Sequence, residues 1–255
     1  MKTVVMNLAF DGTAYDGVQY QPGRPSVQEE VEKALFRVAG YPCRISMAGR
    51  TDAGVHARGM VVHTRVQDDW TVPEHKIRLA MNTKLPRDIR VMGAQLRDDD
   101  RFHARFDAIA REYSYTVMRI QDPLRRLYTW QQFLPFDGNI LLEAGGIFTG
   151  RHDFTGFSKY NRDTSSYLCT VEFCRWEQLS DIEYRFRIKA NRFVYGMVRI
   201  LVGAMMEAAR GKVDIEHLRT VLAAANRDHY ISLAPAQGLV FEKAHYPDEL
   251  NVEFH

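Results

Sequence analysis

Apolar residues in this chain recur at two different periods, and the order in which those periods follow one another limits the folds open to it. Lys2–Phe10 reads as a strand. Ser26-Val27-Gln28-Glu29 is a capping box, and Val27, Val31, Leu35 and Val38 follow at helical spacing as far as Gly40. Strands are expected over Cys43–Ala48 and Met60–Val66, a helix over Pro73–Leu85 and a strand over Ile89–Leu96. The pattern restarts after Asp98-Asp99-Asp100. A strand is expected over Ala108–Arg119, with Tyr113, Tyr115 and Val117 on one face, and another over Leu127–Phe133. A helix over Ile140–Phe148 is weakened by Gly145-Gly146. Thr170–Gln178 and Ile182–Ala190 read as a hairpin across Leu179–Asp181. Phe193–Arg210 and Ile215–Ala225 read as helices, the second capped by Asp214, and Gly238–Tyr246 as a closing strand. Strict strand–helix–strand alternation is missing and hairpins are present. The expected fold is α+β, a mostly antiparallel mixed sheet with helices packed on it. Two halves of similar plan are expected, residues 1–105 and 106–255.

The 255 residues are 45 % hydrophobic and 26 % charged, a balance that excludes a disordered or fibrous chain. The most apolar stretch, Phe193–Ala209, contains Arg199 and Glu207 and falls short of the roughly 20 apolar residues a membrane span needs. Val4–Phe10 contains Asn7 and ends at Asp11-Gly12, a strand entering a turn rather than a signal peptide. The three cysteines Cys43, Cys169 and Cys174 form no CxxC and no zinc spacing, and read as packed thiols of a cytoplasmic protein. No GxGxxG, P-loop, GxSxG or HExxH occurs, which disfavours dinucleotide enzymes, NTPases, α/β-hydrolases and zinc proteases.

The net charge is only +2, yet 26 of the 34 basic residues are arginine. Arginine presents a planar fork suited to phosphate and stacks on bases. Residues 184–212 hold seven basic side chains against one acid, Glu207, and residues 40–65 hold four arginines against Asp52. Such clustering suggests a basic face for a polyanion.

The most unusual stretch is Gly49-Arg50-Thr51-Asp52-Ala53-Gly54-Val55-His56-Ala57. A carboxylate sits there among residues with almost no side chain, which lets a bulky ligand approach Asp52, while Arg50 and His56 can hold anionic groups. The plainer reading is a tight turn in which Asp52 caps backbone amides. Tyr113 and Tyr115 either stack on nucleobases or fill the core. His152-Asp153-Phe154 is either a base with its orienting acid or a fragment of a metal site, although no second ligand pair lies at helical spacing. Arg199, between Val198 and Ile200, either pairs with a carboxylate or reaches solvent from the helix edge.

The run from Gly49 to Ala57 resembles the signature of the tRNA pseudouridine synthase A family. Other segments resemble that family in the same order. They are Asp11-Gly12-Thr13 with Tyr15, Gly17, Gln19 and Gln21, then Leu85-Pro86-Arg87-Asp88-Ile89, and Phe102-His103-Ala104-Arg105-Phe106 with Arg111, Tyr113 and Tyr115. Gly150-Arg151-His152-Asp153-Phe154, Phe193 with Tyr195 and Met197-Val198-Arg199, and Ala234-Pro235 with Gly238-Leu239 complete the series. The resemblance covers roughly residues 4 to 246.

The resemblance implies a pseudouridine synthase fold with the active site in a cleft between the halves. It implies an isomerase that converts uridine to pseudouridine at tRNA positions 38, 39 and 40, on the 3′ side of the anticodon stem-loop, without metal or organic cofactor. Asp52 is then the catalytic nucleophile, Arg199 its ion-pair partner and Tyr113 the residue that stacks on the target base, with Tyr115 deeper in the core. Arg50 helps displace that base, and His56, Arg58, Arg105 and Arg111 join it in binding RNA. The implied partners are tRNA, gripped by its anticodon stem-loop and body, and a second copy of the chain in a homodimer. Val18 stands where the family usually has Trp, and Thr164-Ser165 where it usually has Arg-Thr. A non-catalytic RNA-binding or tRNA-folding module on the same fold is the alternative; it has no need of Asp52 and Arg199 together. A metal-dependent nuclease using Asp52 and Asp153 would require further acids than the sequence offers.

Overall fold

A computed structural model of the protein describes residues 1–228, 232–252 and 254. The chain divides into two compact units, one formed by Met1–Ile109 with Phe241–His255, the other by Ala110–Val240.

The first unit is built on β1 (Lys2–Phe10), α1 (Val27–Ala39), β2 (Ile45–Met47), β3 (His56–Val66), α2 (Glu74–Asn82) and β4 (Ile89–Arg97). β1 pairs antiparallel with β3 on one side and with β4 on the other, and β2 adds to β3. Val4, Val5, Met6 and Leu8 have no exposed surface, so β1 is covered on both faces. Val27, Val31, Ala34 and Leu35 of α1 and Ile77 and Met81 of α2 point into this core. Ser26 caps α1 by accepting the Glu29 amide, and Gly40 ends it in the left-handed conformation, φ 80°, as the capping box and terminal glycine foretell.

β3 starts four residues before the expected Met60. Between Leu8–Met60 and Phe10–Ala57 the register shifts, so Arg58 and Gly59 together oppose Ala9 in a bulge. A Cβ on Gly59 would strike the Glu242 carbonyl of the returning C-terminal strand, which lies beside β3. Only glycine permits that approach.

The second unit holds β5 (Ala110–Met118), β6 (Trp130–Gln131), α3 (Gly138–Ala144), β7 (Gly150–Asp153), β8 (Leu168–Ser180), β9 (Glu183–Ala190), α4 (Met197–Ala209) and α5 (Ile215–Ala224). β10 (Leu239–His245) then leads back into the first unit. β5, β9, β8 and β7 pair antiparallel in that order, and β6 is parallel to β5. β9 alternates with period two: Tyr184, Phe186, Ile188 and Ala190 are buried, while Arg185, Arg187 and Lys189 face outward. α4 is buried at eleven of its thirteen positions. The mixed, largely antiparallel α+β architecture is the one the apolar periods indicate.

The local differences have identifiable causes. The expected strand Leu127–Phe133 shrinks to two residues because Asp122 and Arg125 start successive turns, closed by Arg125 N–H to Asp122 O and Tyr128 N–H to Arg125 O. The helix expected through Phe148 stops at Ala144 and tightens into a 3₁₀ turn over Gly145–Phe148. α4 begins at Met197, not Phe193, because Gly196 is left-handed at φ 73°. β7 has no counterpart in the periodicity.

Candidate active site

Asp52 lies on the loop between β2 and β3 in the first unit, half-buried. The loop contains a turn closed by Val55 N–H to Asp52 O, 3.2 Å, with Gly54 left-handed at φ 76°. A second loop, residues 11–18, straps it down. Val18 N–H donates to Thr51 O at 3.3 Å, and Gly54 N–H donates to Tyr15 O at 3.2 Å. Gly12 N–H donates to His56 Nδ1 at 3.0 Å. A Cβ on Gly12 would overlap the Val55 carbonyl, and one on Gly17, φ 100°, would sit 2.8 Å from Thr51 O. Both glycines are required by this backbone-on-backbone contact.

The strap is itself anchored. Asp11 N–H donates to Asp88 O and Tyr15 Oη to Asp88 Oδ1, both at 2.9 Å. Asp11 Oδ1 accepts the Thr13 amide and hydroxyl at 3.0 and 2.6 Å. Burial and the Asp88 carboxylate push the Tyr15 phenol well above its usual range. Three separate motifs, around Asp11, Asp52 and Asp88, therefore meet to fix one carboxylate-bearing loop. Val18 is wholly buried under it, an apolar position.

The other expected ligand-binding residues of this unit have different surroundings. Arg50 is exposed, and among the described residues it makes no hydrogen bond or ion pair. His56 is 4 % exposed; its ring receives Gly12 and lies 3.1 Å from Asp11 Oδ1, so its visible work is to hold the strap. Arg58 is exposed but bonded to Glu242 at 2.6 Å. Arg105 is exposed on the turn that follows Phe102.

In the second unit a second cluster forms on β5 and α4. Tyr115 is wholly buried and Tyr113, two residues earlier, is 7 % exposed with its ring edge-on to Phe193 at 5.0 Å. Tyr115 Oη donates to Pro235 O at 2.8 Å, and a Cβ on Gly238 would enter the Tyr115 ring. Burial drives the Tyr115 hydroxyl far up in pKa, with Arg199 opposing weakly, so it stays a neutral donor. Arg199 Nε donates to Ala234 O at 2.7 Å, and Ala234 N–H returns to Arg199 O at 3.1 Å. The segment Ala234–Gly238 thus orients both Tyr115 and Arg199. Arg111 donates to Asn191 O at 3.0 Å.

Two sequence readings need correcting. His152 and Asp153 do not form a base–acid pair. His152 Nε2 contacts Thr149 O at 2.9 Å, and Asp153 Oδ1 accepts the Thr155 amide and hydroxyl at 2.8 and 2.6 Å, a local turn. Among the described residues no group of His, Cys, Asp and Glu could hold a metal ion. The basic run 184–212 is compensated at two of its seven basic side chains. Arg187 pairs with Glu112 at 2.5 Å and with Glu177 at 3.9 Å, and Lys189 pairs with Glu172 at 2.8 Å. Those acids come from β5 and β8, so a count along one segment misses these two pairings.

Among the described residues no helix is long and apolar enough to cross a membrane. Residues 7–107 and 146–247 match a family model described as tRNA pseudouridine synthase. A protein of Chlamydia trachomatis serovar A named tRNA pseudouridine synthase A is 37 % identical over 252 residues, 96 % of this chain and 92 % of its own length. One of the same name from Brevibacillus brevis is 37 % identical over 248 residues, 96 % of this chain and 100 % of its own. A third, from Akkermansia muciniphila, is 37 % identical over 257 residues, 98 % and 97 % of the two chains.

Proposed function

The chain belongs to the tRNA pseudouridine synthase family, and from that premise we propose that it isomerises uridine to pseudouridine on the 3′ side of the tRNA anticodon stem-loop with Asp52 as its nucleophile. The observation that carries the assignment is the loop bearing Asp52. Its backbone is fixed by Tyr15, Val18 and the Gly12–His56 contact, and its neighbours Ala53 and Gly54 carry almost no side chain. A positioned carboxylate beside small residues is what attack on a ribose needs.

The chemistry follows from that placement. The Asp52 carboxylate bonds to C1′ of the ribose as the N1–C1′ bond breaks. The uracil turns and C5 joins C1′ as the C1′–O bond to Asp52 breaks and frees the carboxylate; C5 gives up its proton and N1 takes one up, so the product is an isomer. Arg199 is assigned the supporting guanidinium, and Tyr113 the ring against which the base turns. The target base must first leave its stack, at a cost of a few kcal/mol. Arg50, exposed and without a partner among the described residues, is suited to hold the vacated position. Arg58, Arg105 and Arg111 are assigned to the RNA backbone, recognised by its A-form shape. His56 is assigned an indirect part, through the strap. The reading includes a homodimer, because a tRNA outreaches one chain of this size, and a cytoplasmic location.

The test is incubation of Asp52→Asn and Asp52→Ala with unmodified tRNA transcript and no added metal, followed by nucleotide mapping of pseudouridine. The wild-type chain is expected to modify the 3′ side of the anticodon stem, and both variants to bind tRNA without modifying it. Near-wild-type turnover in either variant overturns the role of Asp52. Tight binding by a wild-type chain that forms no pseudouridine favours the RNA-binding module instead.

A further inference from the structure

The turn Phe102–Asp107 presents a large aromatic ring to solvent while every amide beneath it is tied down. Phe106 is 75 % exposed. Ala104 N–H donates to His63 Nδ1 at 3.1 Å, and the Arg105 and Phe106 amides share His103 Nδ1 at 3.2 and 3.3 Å. His103 N–H donates to Asp107 Oδ2 at 2.7 Å, Asp107 N–H returns to His103 O at 3.1 Å, and Tyr246 Oη donates to Ala104 O at 2.7 Å. Phe106 packs against the inner imidazole, with ring centroids of His103 and Phe106 4.3 Å apart and tilted 31°. The Arg105 guanidinium lies 5.7 Å from the Phe106 centroid.

A mobile exposed Phe needs no explanation, but a rigidly displayed one does. Here a phenyl face, backed by an imidazole and accompanied by an arginine, is held by a network that leaves three quarters of the residue exposed. That combination suits one class of ligand, a nucleobase whose phosphate carries negative charge. Base–aromatic stacking is indifferent to sequence, and the cation supplies the complementary charge. We infer that Phe106 is a stacking platform for an unpaired nucleotide of the tRNA, with Arg105 contacting that nucleotide's phosphate and His103 as the positioning residue that holds both. The inference rests on tRNA being the substrate, and adds a contact the isomerisation chemistry does not require.

The histidines are suited to the task because both stay neutral acceptors. Burial, with Arg65 and His103 nearby, lowers His63 to about 4. Burial also lowers His103, against the opposing pull of Asp107 and with Arg65 and Arg105 assisting. An imidazole that gained a proton at Nδ1 could no longer accept an amide.

The experiment compares wild type, Phe106→Ala, Phe106→Leu, Phe106→Trp, His103→Ala and His103→Asn as full-length chains. Affinity for unmodified tRNA transcript is measured over a range of salt, with the thermal midpoint as control. Phe106→Ala and Phe106→Leu are expected to weaken binding about 5- to 150-fold, with unchanged salt slope and unchanged midpoint. Phe106→Trp keeps the aromatic face and should bind like wild type. His103→Ala should weaken binding, and His103→Asn, which retains an acceptor near Nδ1, should recover most of it. Affinity within twofold of wild type for Phe106→Ala, or wild-type binding by Phe106→Leu, overturns the platform. Pseudouridine formation by the wild-type chain is scored separately. If it is absent while tRNA still binds, the enzymatic reading fails and the affinities still decide the platform; if tRNA does not bind at all, both fail.

Discussion

The Tyr15 hydroxyl donates to the Asp88 carboxylate across 2.9 Å, and that bond ties the end of the α2–β4 connection to the strap over Asp52. Tyr15 is 7 % exposed, so removing the hydroxyl leaves Asp88 short of a donor in a place water reaches poorly. Tyr15→Phe is expected to lower stability by about 1–2 kcal/mol in a denaturant titration. It should also reduce the single-turnover rate more than tRNA affinity, because the strap positions Asp52. Equal losses in both would show that the strap serves binding instead.

The strap tolerates no side chain at Gly12. Gly12→Ala drives a methyl group into the Val55 carbonyl, so one of the two loops must shift. An ångström of displacement at a reacting group costs on the order of 100-fold in rate. The expected result is a folded chain with at least that loss of turnover. Gly23→Ala, at a turn where a Cβ meets nothing within 4 Å, serves as control and should keep its activity.

His63 gives the first unit a signed pH dependence. Its folded pKa of about 4 lies below the ordinary value of 6.5, so the unfolded chain binds the extra proton more readily. Stability is therefore highest above pH ~6.5 and declines as pH falls toward ~4, by up to a few kcal/mol. His63→Gln cannot gain that proton. Its unfolding midpoint should vary less between pH 7 and pH 4.5 than that of the wild type. Parallel curves for the two would assign the acid sensitivity elsewhere.

Arg50 and Arg187 should respond in opposite ways. Arg187 already faces Glu112, whose side chain is 11 % exposed. Arg187→Gln should cost stability, about 1–2 kcal/mol, and leave the salt slope of tRNA binding nearly unchanged. Arg50→Ala should leave stability alone and slow modification more than it weakens binding. A Kd for Arg50→Ala that rises in step with the fall in rate would reduce Arg50 to a phosphate contact.

Much of the fold is legible in residue periods because each element has an unambiguous signal. Ser26 and Gly40 bound α1, Asp214 caps α5, and the alternation from Tyr184 to Ala190 marks β9. β7 is missed because its four residues, Gly150–Asp153, are too few to show a period and look like a chemical motif. The loop of Asp52 is legible as a motif, but its scaffolding is not. The contacts of Tyr15, Gly12 and Asp88 join residues up to 77 positions apart, and only folding brings them together. Charge was the weakest guide: Arg187 and Glu112 are 75 residues apart in sequence, and no count within one segment reveals that pairing.

The return of Phe241–His255 to the first unit has a consequence for the order in which the chain can assemble. The bulge at Gly59 meets Glu242, Arg58 pairs with Glu242, Ile109 N–H finds His245 O and Arg97 reaches Leu250 O. During synthesis all of these groups wait until the whole second unit has been made. The edge of β3, beside the residue assigned the chemistry, is among the last parts of the sheet to be closed. A nascent chain stopped at Val240 has already produced every residue of both clusters, yet leaves that strand edge open to pairing with another chain. Translation thus delivers the residues of both clusters before the strand that completes the support of the first.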